Sequence, residues 1–394
     1  MAPPPAHAAR AARAGRFDAV VVGGGAIGLA AAWLAAGRGL AVAVVDPEPG
    51  HGASWAAAGM LAPVTEVHYG EEALLALNLA SVRRWPDFAR TLEAATGCSV
   101  GLRTTGTLLV AAETGDRAWA EDLYRFQVEL GLEVQWLAAR AARELEPALA
   151  PGVRGAVWVP GDHQVHNRHL LRALLQACAA SGVQLVRDRV RAVECAGGAV
   201  VGVLLSTGRA LRAPAVVLAA GWSSGQVGGL PAGTVPPVRP VKGQILRLSP
   251  RPGHGGLLTR TVRGIVQGSS VYLVPRADGS VVVGATAEEQ GPDRTVTAGA
   301  VYQLLRDAHR VVPGVTELVL DEAAAGLRPG SPDNAPLIGT PGPRGPHGLV
   351  LATGHYRNGI LLTPLTAEAV AALVAGDQPP PEVTPFSPER FAAG

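Results

Sequence analysis

The sequence predicts an α/β protein: a parallel-sheet dinucleotide-binding domain joined to a smaller, β-rich α+β domain. Three observations carry this. Residues 18–46 read as strand, helix and parallel strand around a glycine-rich turn. Strand-like and helical segments of the same kind return near the middle and the end of the chain. Between them, residues 236–322 hold short strands broken by Gly and Pro.

The opening unit is the clearest. In Asp18-Ala19-Val20-Val21-Val22 the four residues after Asp18 are a short unbroken apolar run, as expected of a strand buried on both faces. Ala26–Ala36 is an apolar helix, and Leu40–Val45 is a second buried strand that ends at Asp46. The turn Gly23-Gly24-Gly25-Ala26-Ile27-Gly28 matches G-x-G-x-x-G. Gly23 permits the tight turn, Gly25 lets backbone approach a pyrophosphate, and Gly28 lets helix and strand pack closely. The helix start, Ala26 and Ile27, offers unpaired N–H groups to phosphate. Asp46 stands where a carboxylate can accept from both ribose hydroxyls, which disfavours a 2′-phosphate but leaves NAD and FAD both open.

Later elements follow the same logic. Leu74–Ala95 has helical period with Pro86 as an expected kink. Leu102–Ala111 reads as a strand and Arg117–Leu130 as an amphipathic helix. Asn167–Ser181 is a helix for which Asn167 suits the N-cap and Gly182 the C-terminus. Strands are expected over 184–192, 200–205 and 215–220, then over 238–248, 257–266, 270–274 and 280–285. Helices follow over 296–312 and 359–374, with a strand at 348–353 between them. The expected division is a cofactor domain from 17–98, 157–235 and 323–378, and a substrate domain from 99–156 and 236–322. Residues 1–16 form a tail and 379–394 a Pro-rich, extended tail.

Composition narrows the function classes. With 394 residues, 48% apolar and 17% charged, the chain can bury sizeable cores and is not disordered. A net charge of +2 without a basic block argues against a nucleic-acid partner. Met1–Arg16 lacks the apolar core of a secretory signal, because Arg10 and Arg13 interrupt it, although a transit-type segment stays open. The most apolar stretch, 26–45, reads as core rather than a membrane span. Cys98, Cys178 and Cys195 form no C-x-x-C pair and read as three reduced thiols in the cytoplasm.

Two segments turn the dinucleotide towards FAD. Gly52-Ala53-Ser54-Trp55-Ala56-Ala57-Ala58-Gly59-Met60 is a run of small residues that lets backbone lie against a flat ligand, with Ser54 able to donate to phosphate. Thr353-Gly354-His355-Tyr356-Arg357-Asn358-Gly359-Ile360 precedes the last helix, whose N-terminus can stabilise negative charge on a reduced flavin. Arg328, in Ala325-Gly326-Leu327-Arg328-Pro329-Gly330, is expected to be partly buried, with either a substrate carboxylate or Glu322 as its partner. Gly221-Trp222-Ser223-Ser224-Gly225 matches a hydrolase elbow, and His163, His166 and His169 resemble a metal cluster. The elbow does not explain the opening unit, and only His169 of the three histidines lies clearly inside the helix beginning near Asn167, so no metal is expected.

Together these segments, with Pro240-Val241-Lys242-Gly243-Gln244 and Gly284-Ala285-Thr286, resemble the D-amino-acid-oxidase class of FAD-dependent oxidoreductases over residues 17–378. The nearest likeness is to its glycine-oxidase branch, which serves thiamine synthesis. The resemblance implies a p-hydroxybenzoate-hydroxylase-like FAD domain and an antiparallel β substrate domain. It implies oxidation of a small amino acid by O2 in a homotetramer, with sarcosine or D-amino-acid oxidases and dehydrogenases as the alternative. By resemblance, Arg328 holds the substrate carboxylate, and Arg357 and Tyr272 line the same pocket. Pro47, Ala58, Gly59, Met60 and Gly221 join the cofactor set. Val190 meets the adenine through its backbone, and residues 355–361, including Leu361, meet the flavin ring. Ser270 and Ala287 depart from His and Met found in some members. No Cys follows Cys195 and Ala56 follows Trp55, so the FAD is expected to be non-covalent.

Overall fold

The computed structural model describes residues 16–391; the expected N-terminal tail and its transit-type reading lie almost wholly outside them. The chain runs β1 (Ala19–Val22), α1 (Ala26–Gly37), β2 (Val42–Val45), the single-turn α2 (Ala53–Ala56), β3 (Met60–Leu61) and α3 (Glu72–Thr96). It continues through β4 (Thr107–Ala111), α4 (Thr114–Glu129), β5 (Gln135–Leu137), α5 (Ala139–Leu145), β6 (Gly155–Val159), β7 (His163–Gln164) and α6 (Asn167–Ala180). Strands β8 (Gln184–Val186), β9 (Val190–Ala196), β10 (Ala199–Leu205), β11 (Ala210–Arg212) and β12 (Ala215–Leu218) follow. Then come β13 (Arg239–Ser249), β14 (Thr261–Val266), β15 (Ser269–Pro275), β16 (Val281–Gly284), α7 (Ala298–Val311), β17 (Val319–Gly330), β18 (Leu337–Gly339), β19 (Leu349–Thr353) and α8 (Thr363–Ala375).

Two sheets organise the molecule. The six-stranded sheet has the order β18-β19-β12-β1-β2-β8, parallel except for β18. Its central strands β1 and β2 are fully buried, which is why both are apolar at every position. One face packs on α1, α6 and α8, whose small residues let the helices lie close. The eight-stranded sheet has the order β17-β13-β16-β15-β14-β4-β6-β5 and is antiparallel except where β14 meets β4. Helix α7 covers it, burying Leu304, Ala308 and Val311 against strand residues such as Leu246 and Val271.

Several expected bounds move. The boundaries at 157 and 323 each fall inside a strand of the larger sheet, because β6 and β17 pair there along their whole lengths. Helix α3 is continuous through Pro86. The expected strand at 102–111 shortens to β4. The 184–192 segment splits into β8 and β9, which belong to different sheets. Asn167 is not the N-cap of α6: His166 is, its Nδ1 accepting the His169 N–H at 3.3 Å. Asn167 instead donates its side-chain amide to Ser54 O and Trp55 O at 2.8 and 2.9 Å. The tail after 378 is not extended. It forms two 3-10 turns, Pro381–Phe386 and Pro388–Phe391, because Val383 and Phe386 have apolar seats beside Leu74 and Leu365.

Candidate active site

A cavity of about 690 Å³ opens between the two sheets. At one end, Gly23 turns back after β1 with φ +111°, and its N–H donates to Val45 O at 2.9 Å. A Cβ on Gly28 would stand 2.0 Å from Gly23 O, so only glycine lets α1 begin this close to the strand. Gly23, Gly25, Ala26 and Ile27 border the cavity; Gly28 does not, which accords with a packing role. The first turn of α1 carries no acidic residue of its own to take up its N–H groups. One of them, Ala26 N–H, donates to Ser54 Oγ at 3.1 Å, leaving the serine proton for another acceptor. Asp46 and Pro47 border the cavity beside them. Each Asp46 oxygen accepts one backbone N–H, from Gly24 and Glu48, both at 2.7 Å. Val190 and Gly221 border the same end, joined by Arg189 and Ser206.

The 54–60 loop forms one wall. Ala58, Gly59 and Met60 border the cavity, and the N–H groups of Ala58 and Gly59 have no hydrogen-bond partner among the described residues. Buried amides without partners are rare and mark where a ligand acceptor belongs. Residues 355–361 form the opposite wall. Tyr356 adopts φ +45°, with its N–H donating to Pro329 O at 2.9 Å. Asn358 closes a turn onto His355 O at 2.9 Å. The last helix begins at Thr363 and not at 359, because this turn occupies the intervening residues and Pro364 suits the first helical turn. The N–H groups of Gly359, Ile360 and Leu361 nonetheless have no partner among the described residues and border the cavity. His355 is neutral: burial pushes its imidazole down to about 3, and Nε2 lies 3.1 Å from Thr366 Oγ1.

Strands β13, β15 and β17 supply the remaining wall. Arg328 donates to Thr286 O at 3.0 Å and Lys242 O at 3.4 Å, and it has no ion pair among the described residues. Glu322 is not its partner: that carboxylate is held by Arg168 at 2.7 Å, with Arg247 3.8 Å away. A Cβ on Gly243 would lie 2.4 Å from both terminal nitrogens of Arg328, so the guanidinium rests directly on that glycine. Tyr272 borders the cavity, and burial raises its hydroxyl pKa against the lowering pull of Arg328.

Arg357 borders the cavity but points to a carboxylate that sequence reasoning missed. Its Nε is 3.7 Å from Glu66, and its guanidinium contacts His68 Nε2. Glu66 also accepts from Arg263 at 2.5 Å. Burial alone would raise the Glu66 carboxyl, but Arg263 and then Arg357 outweigh it and hold the pKa below the usual carboxylate value. Glu66 lies in a loop without periodicity; the legible signal was Arg263, a charge inside an apolar strand. The side chains of the two other sequence patterns make internal contacts. Ser223 donates to Ala220 O, while His355 is engaged by Thr366. His166 and His169 stack at 3.7 Å, and no metal-ligating group of three or more side chains occurs among the described residues.

A dinucleotide cradle on a parallel sheet, facing an arginine-bearing antiparallel sheet, defines a flavin-dependent oxidoreductase. The chain belongs to the FAD-dependent oxidoreductase family, whose model matches residues 18–373. It is 36% identical to glycine oxidase of Geobacillus kaustophilus over 381 residues, covering 95% of this chain and 97% of that one. The crystal structure of glycine oxidase from Geobacillus kaustophilus superposes with a TM-score of 0.85 at 34% identity, covering 94% and 98% of the two chains. It is also 34% identical to the bifunctional ThiO/ThiG protein of Trichormus variabilis over 95% of this chain, and spans 55% of that relative's length.

FAD is the cofactor, and the residues present fit it. The α1 N-terminus and Ser54 suit the pyrophosphate, and Asp46 has lone pairs left for the ribose. The unpartnered amides of Ala58, Gly59 and 359–361 all belong to residues that border the same cavity. No cysteine borders the cavity.

Proposed function

We propose that the protein oxidises glycine with O2, giving 2-iminoacetate, which hydrolyses to glyoxylate and ammonia, together with H2O2, and that this serves thiamine synthesis. The observation that carries the proposal is Arg328: a guanidinium on the cavity wall whose partners among the described residues are two backbone carbonyls. Such a cation calls for a carboxylate, and its planar fork binds one through two parallel hydrogen bonds. Likeness to glycine oxidase along both chains supports glycine as the source of that carboxylate.

When bound, FAD supplies the two-electron acceptor for the substrate C–H bond and passes the electrons to O2. The chain's own residues orient the substrate. Arg328 takes the carboxylate, and Tyr272 closes the pocket beside it. Arg357, drawn aside by Glu66 and His68, forms the outer rim. The neutral amine provides the electron push, so no protein base is required; Glu66 is engaged by two arginines and held ionised without taking a proton from substrate.

Anaerobic addition of glycine to the purified holoprotein is expected to bleach the flavin, and air to restore it with one H2O2 per glyoxylate. A flavin bleached by sarcosine or a D-amino acid but not by glycine would replace this reading with the neighbouring activity. Bleaching without H2O2 would assign a dehydrogenase. We further infer a cytoplasmic homotetramer. Three unpaired cysteines accord with a reducing compartment, no helix among the described residues is long and apolar enough to cross a membrane, and sedimentation tests the assembly.

A further inference from the structure

Behind the 54–60 loop, on the side away from the cavity, stand a buried arginine, Arg276, and a partly buried one, Arg247, that the catalytic scheme does not use. Arg276, just after β15, is 4% exposed. Its terminal nitrogens donate to Ala58 O at 2.6 Å, Gln164 Oε1 at 2.9 Å, Val165 O at 3.0 Å and Asn167 Oδ1 at 3.4 Å. Its Nε has no partner, and it forms no ion pair among the described residues. Arg247, in β13, donates to Trp55 O at 3.2 Å and Ala57 O at 3.4 Å, with Glu322 3.8 Å away. Burial and then the neighbouring Arg247 lower Arg276 to about 9; burial and then Arg168 lower Arg247 to about 10. Both guanidiniums are therefore cationic at neutral pH.

The loop's carbonyls are turned towards this wall. Ser54 O and Trp55 O accept from Asn167, Ala57 O from Arg247, Ala58 O from Arg276, and Gly59 O from the Val165 N–H. The amides of Ala58 and Gly59 are left facing the cavity. A buried cation without a counter-ion is costly, and a fold retains one where its charge or its geometry is used.

We propose that Arg276, assisted by Arg247, is a positioning residue for the cofactor: it holds the loop carbonyls back so that the Ala58 and Gly59 amides face the flavin, and its positive charge, which no carboxylate contacts directly among the described residues, favours the negatively charged reduced flavin. The inference rests on FAD occupying this cavity. It is independent of which amine is oxidised, because its test needs no substrate.

The test is the flavin midpoint potential of the holoprotein, measured by dye-coupled anaerobic reduction, together with FAD affinity from reconstitution of the apoprotein. Arg276→Gln is expected to shift the potential negative by at least the equivalent of a tenfold change in the reduced-to-oxidised ratio, about 30 mV for a two-electron couple. Arg276→Lys keeps the charge but not the fork, so the potential returns most of the way while FAD binds more weakly. Arg247→Gln gives a smaller negative shift, because Arg168 still partners Glu322. An Arg276→Gln protein with the parent potential overturns the proposal, as does an Arg276→Lys protein shifted as far as the Gln variant. Should Arg276→Gln retain no FAD, Arg247→Gln decides: a negative shift supports the proposal and the parent potential overturns it.

Discussion

Three residues test the proposed specificity of the site and the fold's sensitivity to pH. Removing Arg328 as Arg328→Ala is expected to cost about 3–5 kcal/mol of substrate binding if the pair is desolvated, a loss of roughly 10²–10³-fold or more in kcat/KM; steady-state kinetics would show it. Gly243→Ala reaches the same guanidinium from beneath. Its Cβ meets the flexible end of Arg328 at 2.4 Å, so the side chain moves while the strand stays. The expected result is about a tenfold loss in kcat/KM, ~1.4 kcal/mol, with the flavin content unchanged. Asp162 acts on stability. It holds the loop that carries Glu66 by accepting from Val64 N–H at 3.0 Å and from Thr65 N–H and Oγ1 at 2.8 and 2.6 Å. Burial nevertheless raises its pKa from 3.8 to about 6. The folded state therefore keeps a proton that the unfolded chain gives up near pH 4. The stability from that proton is full below pH 4 and is lost as pH rises through 6, at most about 3 kcal/mol. Asp162→Asn abolishes this dependence, so the Tm of the parent should fall relative to the variant between pH 4 and 7.

Among the elements, β1, α1 and the turn between them were the most legible in the sequence, because a strand buried on both faces and a turn bounded by glycines leave little choice of residue. Gly28→Ala places a Cβ 2.0 Å from Gly23 O, against backbone that cannot yield cheaply. The purified variant is expected to bind FAD more than tenfold less tightly, about 1.4 kcal/mol or more, measured by the flavin-to-protein absorbance ratio. Other elements were misread for physical reasons. The start of α6 looked like an asparagine cap because Asn favours that position, but tertiary demand moved Asn167 onto the 54–55 carbonyls and left His166 to cap. The Pro-rich end looked extended because proline removes donors, yet Val383 and Phe386 had apolar seats to fill. Glu66 was invisible because its role depends on Arg263 and Arg357, which lie 197 and 291 positions away in the chain. Arg328 was visible because a lone arginine in an apolar, glycine-bounded segment has few structural uses.

At the scale of the whole molecule, the cavity joins both sheets, so the cofactor ties them together. A ligand that binds only the folded state stabilises it by RT ln(1 + [L]/Kd), ~2.7 kcal/mol at one hundred times Kd. Apoprotein is thus expected to melt below holoprotein, with a Tm that rises with added FAD and does not respond to riboflavin lacking the pyrophosphate; differential scanning fluorimetry reads this. The sheet that holds the pyrophosphate is assembled from distant stretches of chain. Strand β1, at 19–22, has β2 on one side and on the other β12, at 215–218, which in turn needs β19, at 349–353. On the ribosome, where chains grow by about 5–20 residues per second, the first turn and its glycines wait roughly 10–40 s for their second neighbour. A nascent chain halted before residue 349 holds the fingerprint of a nucleotide site and half of its walls, but has no 355–361 loop to close it. A site that encloses the flavin therefore exists only once the 355–361 loop has been made, and until β19 arrives the free edge of β12 stands open to other strands.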